Sequence, residues 1–364
     1  MSLLWADDFS TYGVGGQAYM LNGVYAEMLG SGLNTITLAA DPDPNSAGNP
    51  VVRTYNNYTG GGYGADPHVR KVFASAKTTI GGSIRMWMTQ LPAFSNMAPF
   101  ITFCDSGNLT QVTLIVTTTG AIAAYRGYGV GGTLLGTSTS ALTADAWHHL
   151  EWKIVASQTV GTIDIYVNGT SILSLTGLDT IAQTEVSYSQ MSFGNVTYHT
   201  DGEFYTYWRD LILWDASGTV NNDIMGTCYV GRFTVNSDSS FNWTASTGAT
   251  GYNLIDEAGP SDADYISADA TPPAASTFGL ENLPADVTSI RGIILLGRLK
   301  KSDGGDCTVQ MSVVDAGTPT NGADRAITTA YTYWADVLET NTRTAAAFTP
   351  TEFNSATFKI NRTL

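Results

Sequence analysis

The adjacent pair His148-His149 is the most obvious place to look for chemistry in the chain. Successive side chains on a strand leave opposite faces, so the two rings cannot ligate one metal ion. His68 and His199 stand alone, and Cys104, Cys228 and Cys307 are far apart with no Cys-x-x-Cys. The short-range His/Cys pairs of a zinc site are absent. His148 is instead expected to pack at a strand end near Trp152. Glycoside hydrolysis on a strand needs two carboxylates on one face, as nucleophile and acid. No Glu is followed two positions later by Asp, and Thr162 and Tyr166 flank Asp164 on its own face. There is no Gly-x-Ser-x-Gly elbow and no phosphate-cradling Gly-Lys-Ser/Thr loop. The Gly-rich runs at Gly60–Gly62 and Gly129–Gly132 read as turns.

Two kinds of binding chemistry are left. Asp41-Pro-Asp43-Pro-Asn45 spaces three oxygen donors as the start of a calcium loop does. It lacks the glycine that follows in an EF-hand, and Val52 stands where the bidentate Glu belongs. The segment is therefore either a calcium loop or a Pro-stiffened turn, and no cofactor is required. The second kind is aromatic. Tyr55, Asn57, Tyr58 and Tyr63 lie in one Gly-rich stretch expected to be a loop, and Tyr125, Arg126 and Tyr128 in another. Tyr rings stack on sugar faces while Asn and Arg bond hydroxyls. The alternative is that the same rings pack beneath their own loops or at a subunit interface.

The elements that would position these residues are strands. Ile84, Met86 and Met88 alternate with Arg85, Trp87 and Thr89; Leu150, Trp152 and Ile154 alternate with Glu151 and Lys153; Ile163, Ile165 and Val167 alternate with Asp164 and Tyr166. Asn168-Gly169 between two such runs predicts a tight type I′ hairpin. Phe204–Asp215 carries large residues on both faces, which predicts a central or covered strand. No segment has the periodicity of a three-turn amphipathic helix. The pattern predicts an all-β protein. An N-terminal antiparallel jelly-roll sandwich would occupy residues 1–217, a linker 218–223, and a second, smaller β-sandwich 224–364. In the second part, Cys228–Val235, Phe241–Trp243, Ile290–Leu299, Cys307–Val313 and Phe353–Ile360 read as extended, with Ile290–Leu299 buried on both faces.

Bulk properties narrow the function classes. The 364 residues carry a net charge of -15, spread over both halves, and only 13% are charged. An acidic surface repels phosphate backbones, so no nucleic-acid partner is expected. The longest aliphatic run, Ile293–Leu296, is far too short for membrane insertion, and MSLLWADDFS lacks the basic and apolar regions of a signal peptide.

Ala144–Gly169, with its Trp147-His148-His149-Leu150 strand start and its Tyr166-Val167-Asn168-Gly169 strand end, resembles the laminin-G-like branch of the concanavalin A-like lectin jelly rolls. Asp7-Asp8-Phe9 and Trp208–Leu213 resemble that family's first and last strands. The resemblance implies a sandwich over roughly the first 215 residues, a scaffold that often carries rim calcium. The stretch Asp210–Ile266 resembles a layout of bacteriophage structural proteins. A laminin-G-like domain there runs into a segment matched here by Trp243, Thr244, Ser246, Thr247 and Gly248, then Asp256, Glu257, Asp262, Asp264, Tyr265 and Ile266. This second resemblance implies a non-enzymatic virion protein, such as a capsid decoration, head fibre, tail fibre or neck accessory. It would contact other virion proteins, be displayed as a homo-oligomer, and aid attachment to a host-surface glycan. A carbohydrate-binding adhesin is the alternative reading. A glycan-degrading enzyme on a glucanase-like scaffold is disfavoured by the missing carboxylate pair.

Overall fold

The computed structural model describes the chain except residues 1, 13–16, 22–23, 30–34, 44–49, 59–66, 93–98, 195–201, 258 and 269–273. The chain divides into two compact units, Met1–Val230 and Gly231–Leu364. Both are built of antiparallel strands, as the alternation predicts.

In the first unit the strands are β1 (Leu3–Asp7), β2 (Glu27–Leu29), β3 (Thr35–Ala40), β4 (Pro50–Tyr58) and β5 (His68–Lys77). There follow β6 (Thr79–Met88), β7 (Pro99–Cys104), β8 (Thr110–Val116), β9 (Ala121–Arg126) and β10 (Thr133–Ala141). The last are β11 (Trp147–Val155), β12 (Gly161–Val167), β13 (Thr170–Leu178), β14 (Tyr188–Gly194) and β15 (Gly202–Asp215). One eight-stranded sheet runs β13-β12-β11-β6-β15-β4-β3, with β1 also paired to β15. A seven-stranded sheet runs β10-β9-β8-β7-β14-β5-β2. Neighbours distant in sequence, such as β6 beside β15 and β7 beside β14, make this a jelly-roll-like sandwich rather than a meander.

The core lies between the sheets. The β6 and β11 side chains Ile84, Met86, Leu150, Trp152 and Ile154 are fully buried, as is Trp208 of β15. The Trp152 ring meets Phe103 of the other sheet at 6.0 Å, and Trp208 meets Phe193 at 5.6 Å. Each ring removed from water this way stabilises by about 1.5–3 kcal/mol. The predicted hairpin joins β12 to β13: Asn168 and Gly169 have φ of 51° and 79°, the left-handed pair a type I′ turn requires. Asn168 also accepts the His149 backbone N–H through its side chain at 2.9 Å.

The predicted linker 218–223 is not free chain, and the boundary lies at Val230/Gly231. Residues 218–230 form a strap across the outer face of the eight-stranded sheet. Gly218 N donates to Ser2 Oγ at 2.8 Å, and Lys153 pairs with Asp223 at 2.9 Å. Met225 N and Gly226 N donate to the two oxygens of Glu151 at 2.6 and 3.2 Å. Val230 N donates to Asp210 Oδ1 at 3.3 Å. The polar, Gly-containing sequence looks like a linker because nothing local in it shows its anchors, Glu151 of the distant β11 and Asp210 at the β15 bulge.

The second unit contains β16 (Val235–Ser240), β17 (Thr244–Ala245), β18 (Ile266–Ser267), β19 (Ala274–Leu280) and β20 (Ile293–Leu299). It continues with β21 (Thr308–Asp315), β22 (Thr318–Asn321), β23 (Arg325–Ala326), β24 (Thr332–Leu338) and β25 (Thr357–Arg362). A six-stranded sheet β16-β19-β25-β21-β22, with β23 on β21, shares one core with the two-stranded ladder β20-β24. Phe278, Met311, Val313 and Ile360 of the sheet meet Leu295 and Leu338 of the ladder. Val309, Met311 and Val313 point inward as predicted. Four expectations fail. Residues 228–234 and 241–243 form no strand. Ile293–Leu299 buries only Leu295 fully, because its ladder has two strands and one covered face. Phe353 lies in a short helix, Pro350–Ser355, opened by a Thr349–Glu352 capping box.

Candidate functional site

Side chains of the eight-stranded sheet that face away from the core form an aromatic platform. Register fixes its layout. Trp147 of β11 is opposite Trp87 of β6, Trp87 is opposite Tyr207 of β15, Tyr207 opposite Arg53 of β4, and Arg53 opposite Thr37 of β3. Cross-strand partners share a face, so these five residues form one line across five strands. Four inter-strand steps of roughly 4.8 Å give a row of about 19 Å. Beside it Tyr205 stacks on Tyr55 with centroids 4.6 Å apart, and on Tyr207 at 6.4 Å. All five rings are partly exposed.

Polar groups fix the rings in place. The Arg53 guanidinium lies 5.5 Å from the Tyr205 ring centre while its Nε donates to Thr37 Oγ1 at 3.1 Å. Trp87 meets Trp147 edge-on at 6.0 Å, and the Arg209 guanidinium sits 4.8 Å over Trp147. Asp41, with its side chain wholly buried, accepts from Trp147 Nε1 at 3.1 Å and pairs with Arg209 Nη1 at 2.5 Å. A ring held by two neighbours loses little freedom when a ligand stacks on it.

The other half of the same face lies beneath the strap. Tyr229 places its ring 4.0 Å from the Arg85 guanidinium. A bulge in β15 at Asp210, whose φ is 54°, turns this carboxylate to the strap side, 3.6 Å from Arg85 Nε and 3.5 Å from Arg209 Nε. Burial nevertheless raises the Asp210 carboxyl to about 6. His149 is 2% exposed and, among the described residues, neither ring nitrogen has a hydrogen-bond partner. Burial first, then the adjacent Arg85 charge, lowers its imidazole to about 4, so it is neutral at physiological pH. His148 faces the core, its Nε2 within 3.0–3.2 Å of the Thr143 backbone and hydroxyl.

The residues singled out in the sequence fall into separate places. Tyr55 belongs to the platform. It stands in a strand rather than the expected loop, as do Asn57 and Tyr58, whose backbones pair with Glu203 and Gly202. The Asn-Asn-Tyr run looks like loop, but pairing with β15 holds it extended. Tyr63 lies outside the described residues. Tyr125 and Arg126 close β9, and Tyr128 follows in the β9–β10 connection, on the other sheet. Asp41 has both carboxylate oxygens engaged by Arg209, Trp147 and the Asp43 N–H, which gives it a positioning role. Among the described residues no group of three acidic, His or Cys side chains could hold a metal ion. Asn45 lies outside them. Trp87, Trp147, Tyr205 and Tyr207 were not singled out, although the large residues on both faces of 204–215 were the visible signal.

No protein-family model matches the chain, and no curated protein sequence matches it. Among solved structures it is similar to the cellulose-induced protein Cip1, at 15% identity and a TM-score of 0.40 over 57% of this chain and 96% of that one. It is similar to domain 4 of AbnA, an extracellular arabinanase from Geobacillus stearothermophilus in complex with arabinotriose. Identity there is 14% and the TM-score 0.37, over 58% of this chain and 92% of that one. A carbohydrate esterase from the Shiga toxin-encoding bacteriophage phi24B is 11% identical with a TM-score of 0.37, over 58% and 97%. At these values the likenesses are of general β architecture and assign no substrate.

Proposed function

We propose that the chain is a non-catalytic, glycan-binding β-sandwich protein displayed on a bacteriophage particle, where it engages a host-surface polysaccharide. The observation that carries the glycan reading is the ordered row Trp147–Trp87–Tyr207–Arg53, with Tyr55 and Tyr205 beside it. Partly exposed rings in a line suit the apolar faces of successive sugar units, and Arg53 supplies donors for hydroxyls. Arg53 has no carboxylate partner among the described residues, so its charge is available to a ligand.

The absence of catalysis is part of the proposal. Of the described carboxylates on this face, Asp41, Asp210 and Glu151 are each committed to holding an arginine, an indole or the strap, and Asp164, cross-strand from Lys153, accepts from Ser174 Oγ at 2.6 Å. The particle assignment is supported by the resemblance across Asp210–Ile266. Many copies on one particle would turn weak single-site binding into useful avidity.

Affinity electrophoresis in gels containing host cell-wall polysaccharide tests the glycan reading. Wild-type protein is expected to be retarded, and Tyr207→Ala or Trp87→Ala to weaken binding about tenfold, the worth of one stacking contact. Unchanged retardation in both variants would sink it. Antibody labelling of intact particles tests the location.

A further inference from the structure

The opposite sheet carries a second concavity that the platform does not use. It is an open depression of about 670 Å³ between the β9–β10 connection and the segment after β13. Tyr128, 55% exposed, stands on one side, and Ile181 and Ala182 line the other. Arg126 reaches in from the end of β9, its guanidinium paired with Asp179 and its Nη2 donating to Thr133 Oγ1 at 3.3 Å.

Both walls are pre-formed by buried polar residues two positions apart on β8. Gln111 is fully buried, and its Oε1 accepts from Ala182 N at 2.8 Å and Gln183 N at 2.9 Å. Its Nε2 donates to Glu185 O at 2.9 Å. Thr113, also fully buried, donates to Gly127 O at 2.8 Å and accepts from Gly129 N at 3.4 Å. Two loops fixed by separate side chains keep the space between them open without a ligand, so little ordering cost falls on binding.

We propose that this depression is a second saccharide site, for one sugar residue, independent of the platform. The Tyr128 ring covers an apolar sugar face, and the Arg126–Asp179 pair presents donors and an acceptor to hydroxyls. The proposal rests on the glycan reading above, but it differs in ligand size: the platform takes a chain, the depression a single residue. Glycine makes the depression roomy. A Cβ on Gly131, which lines it, meets no atom within 4 Å, and this residue has no positive φ. A larger side chain at 131 therefore enters open space without strain, at a residue that lines the site.

The test is saturation-transfer NMR on the full chain with glucose, galactose and N-acetylglucosamine as probes, beside the polysaccharide gel. Transfer to at least one monosaccharide is expected in wild type and in Tyr207→Ala, and is expected to be lost in Tyr128→Ala and Gly131→Leu. Both of these variants should keep wild-type retardation by polysaccharide. Monosaccharide transfer that survives in both, or is absent from wild type, overturns the second site. Loss of polysaccharide binding in Tyr207→Ala with no monosaccharide effect at 128 or 131 leaves the platform standing alone. Gly131→Leu supplies a folded control, because it adds atoms where Tyr128→Ala removes them.

Discussion

Single buried groups in the first unit place opposite demands on pH. Asp7 accepts from Phe9 N, Tyr12 Oη and Tyr25 Oη at 2.8–2.9 Å, yet burial, with Asp8 nearby, raises its carboxyl to about 6. Lys71 lies over the adjacent Trp5 and Tyr25 rings, and burial lowers it to about 8. A carboxyl whose folded pKa exceeds its ordinary 3.8 contributes stability that is full below 3.8 and lost as pH rises through about 6. Wild type is therefore expected to gain on Asp7→Asn as pH falls from 7 to 4.5, by about 1.4 kcal/mol per pH unit at most. Urea unfolding at the two pH values reads this directly. A difference independent of pH would mean that Asp7 is not protonated in the fold. His149 carries the reverse sign. Its folded pKa of about 4 lies below the ordinary 6.5, so its contribution is lost as pH falls through that interval. Against His149→Gln, wild type should lose stability over the window in which it gains against Asp7→Asn.

At the scale of elements, the turns and loop anchors carry the testable weight. Gly169→Ala forces a Cβ into the left-handed half of the β12–β13 turn and is expected to cost about 1 kcal/mol, read as a lower urea midpoint at unchanged m. Gln111→Leu removes three hydrogen bonds that fix residues 182–185 and should speed amide exchange there while leaving the strand core protected. Equal exchange in both proteins would show that the loop holds itself. These elements also mark what sequence can and cannot convey. Asn168-Gly169 was legible because its turn chemistry is local, and β6, β11 and β12 because alternation is local. The platform was not, because its rings come from four strands whose adjacency is a matter of topology. Trp87 looks like any large residue in a strand until register sets it between Trp147 and Tyr207. The ring of Tyr55 is legible but its place in a strand is not, since the Gly-rich chain beside it has the composition of a loop. Alternation sets Glu151 opposite the core, and nothing local shows that residues 225 and 226 return to cover it.

For the whole molecule, the question is where the first unit ends as a folding body. The composition of 218–223 places the end near residue 217, whereas the contacts place it at Val230. The two answers predict different behaviour of fragments. Ending the chain at residue 217 removes both N–H donors from Glu151, which is 0% exposed, and the ring from Arg85. Water can replace the lost partners, but only by wetting a face that also holds His149 and Asp210. Stripping the partners from one buried polar group costs about 1–3 kcal/mol, and from a charged one more; here several are stripped together. Fragment 1–230 is expected to unfold cooperatively and to bind polysaccharide like the full chain, since every residue of the platform lies within it. Fragment 1–217 is expected to unfold several degrees lower and to digest faster in dilute protease. Glu151→Ala in fragment 1–230 should fall between the two, because it frees the middle of the strap and leaves its ends attached. If 1–217 and 1–230 prove equally stable, residues 218–230 are a linker after all. The strap would then be an incidental contact, and the covered half of the aromatic face would be open to a ligand from either side of Tyr229.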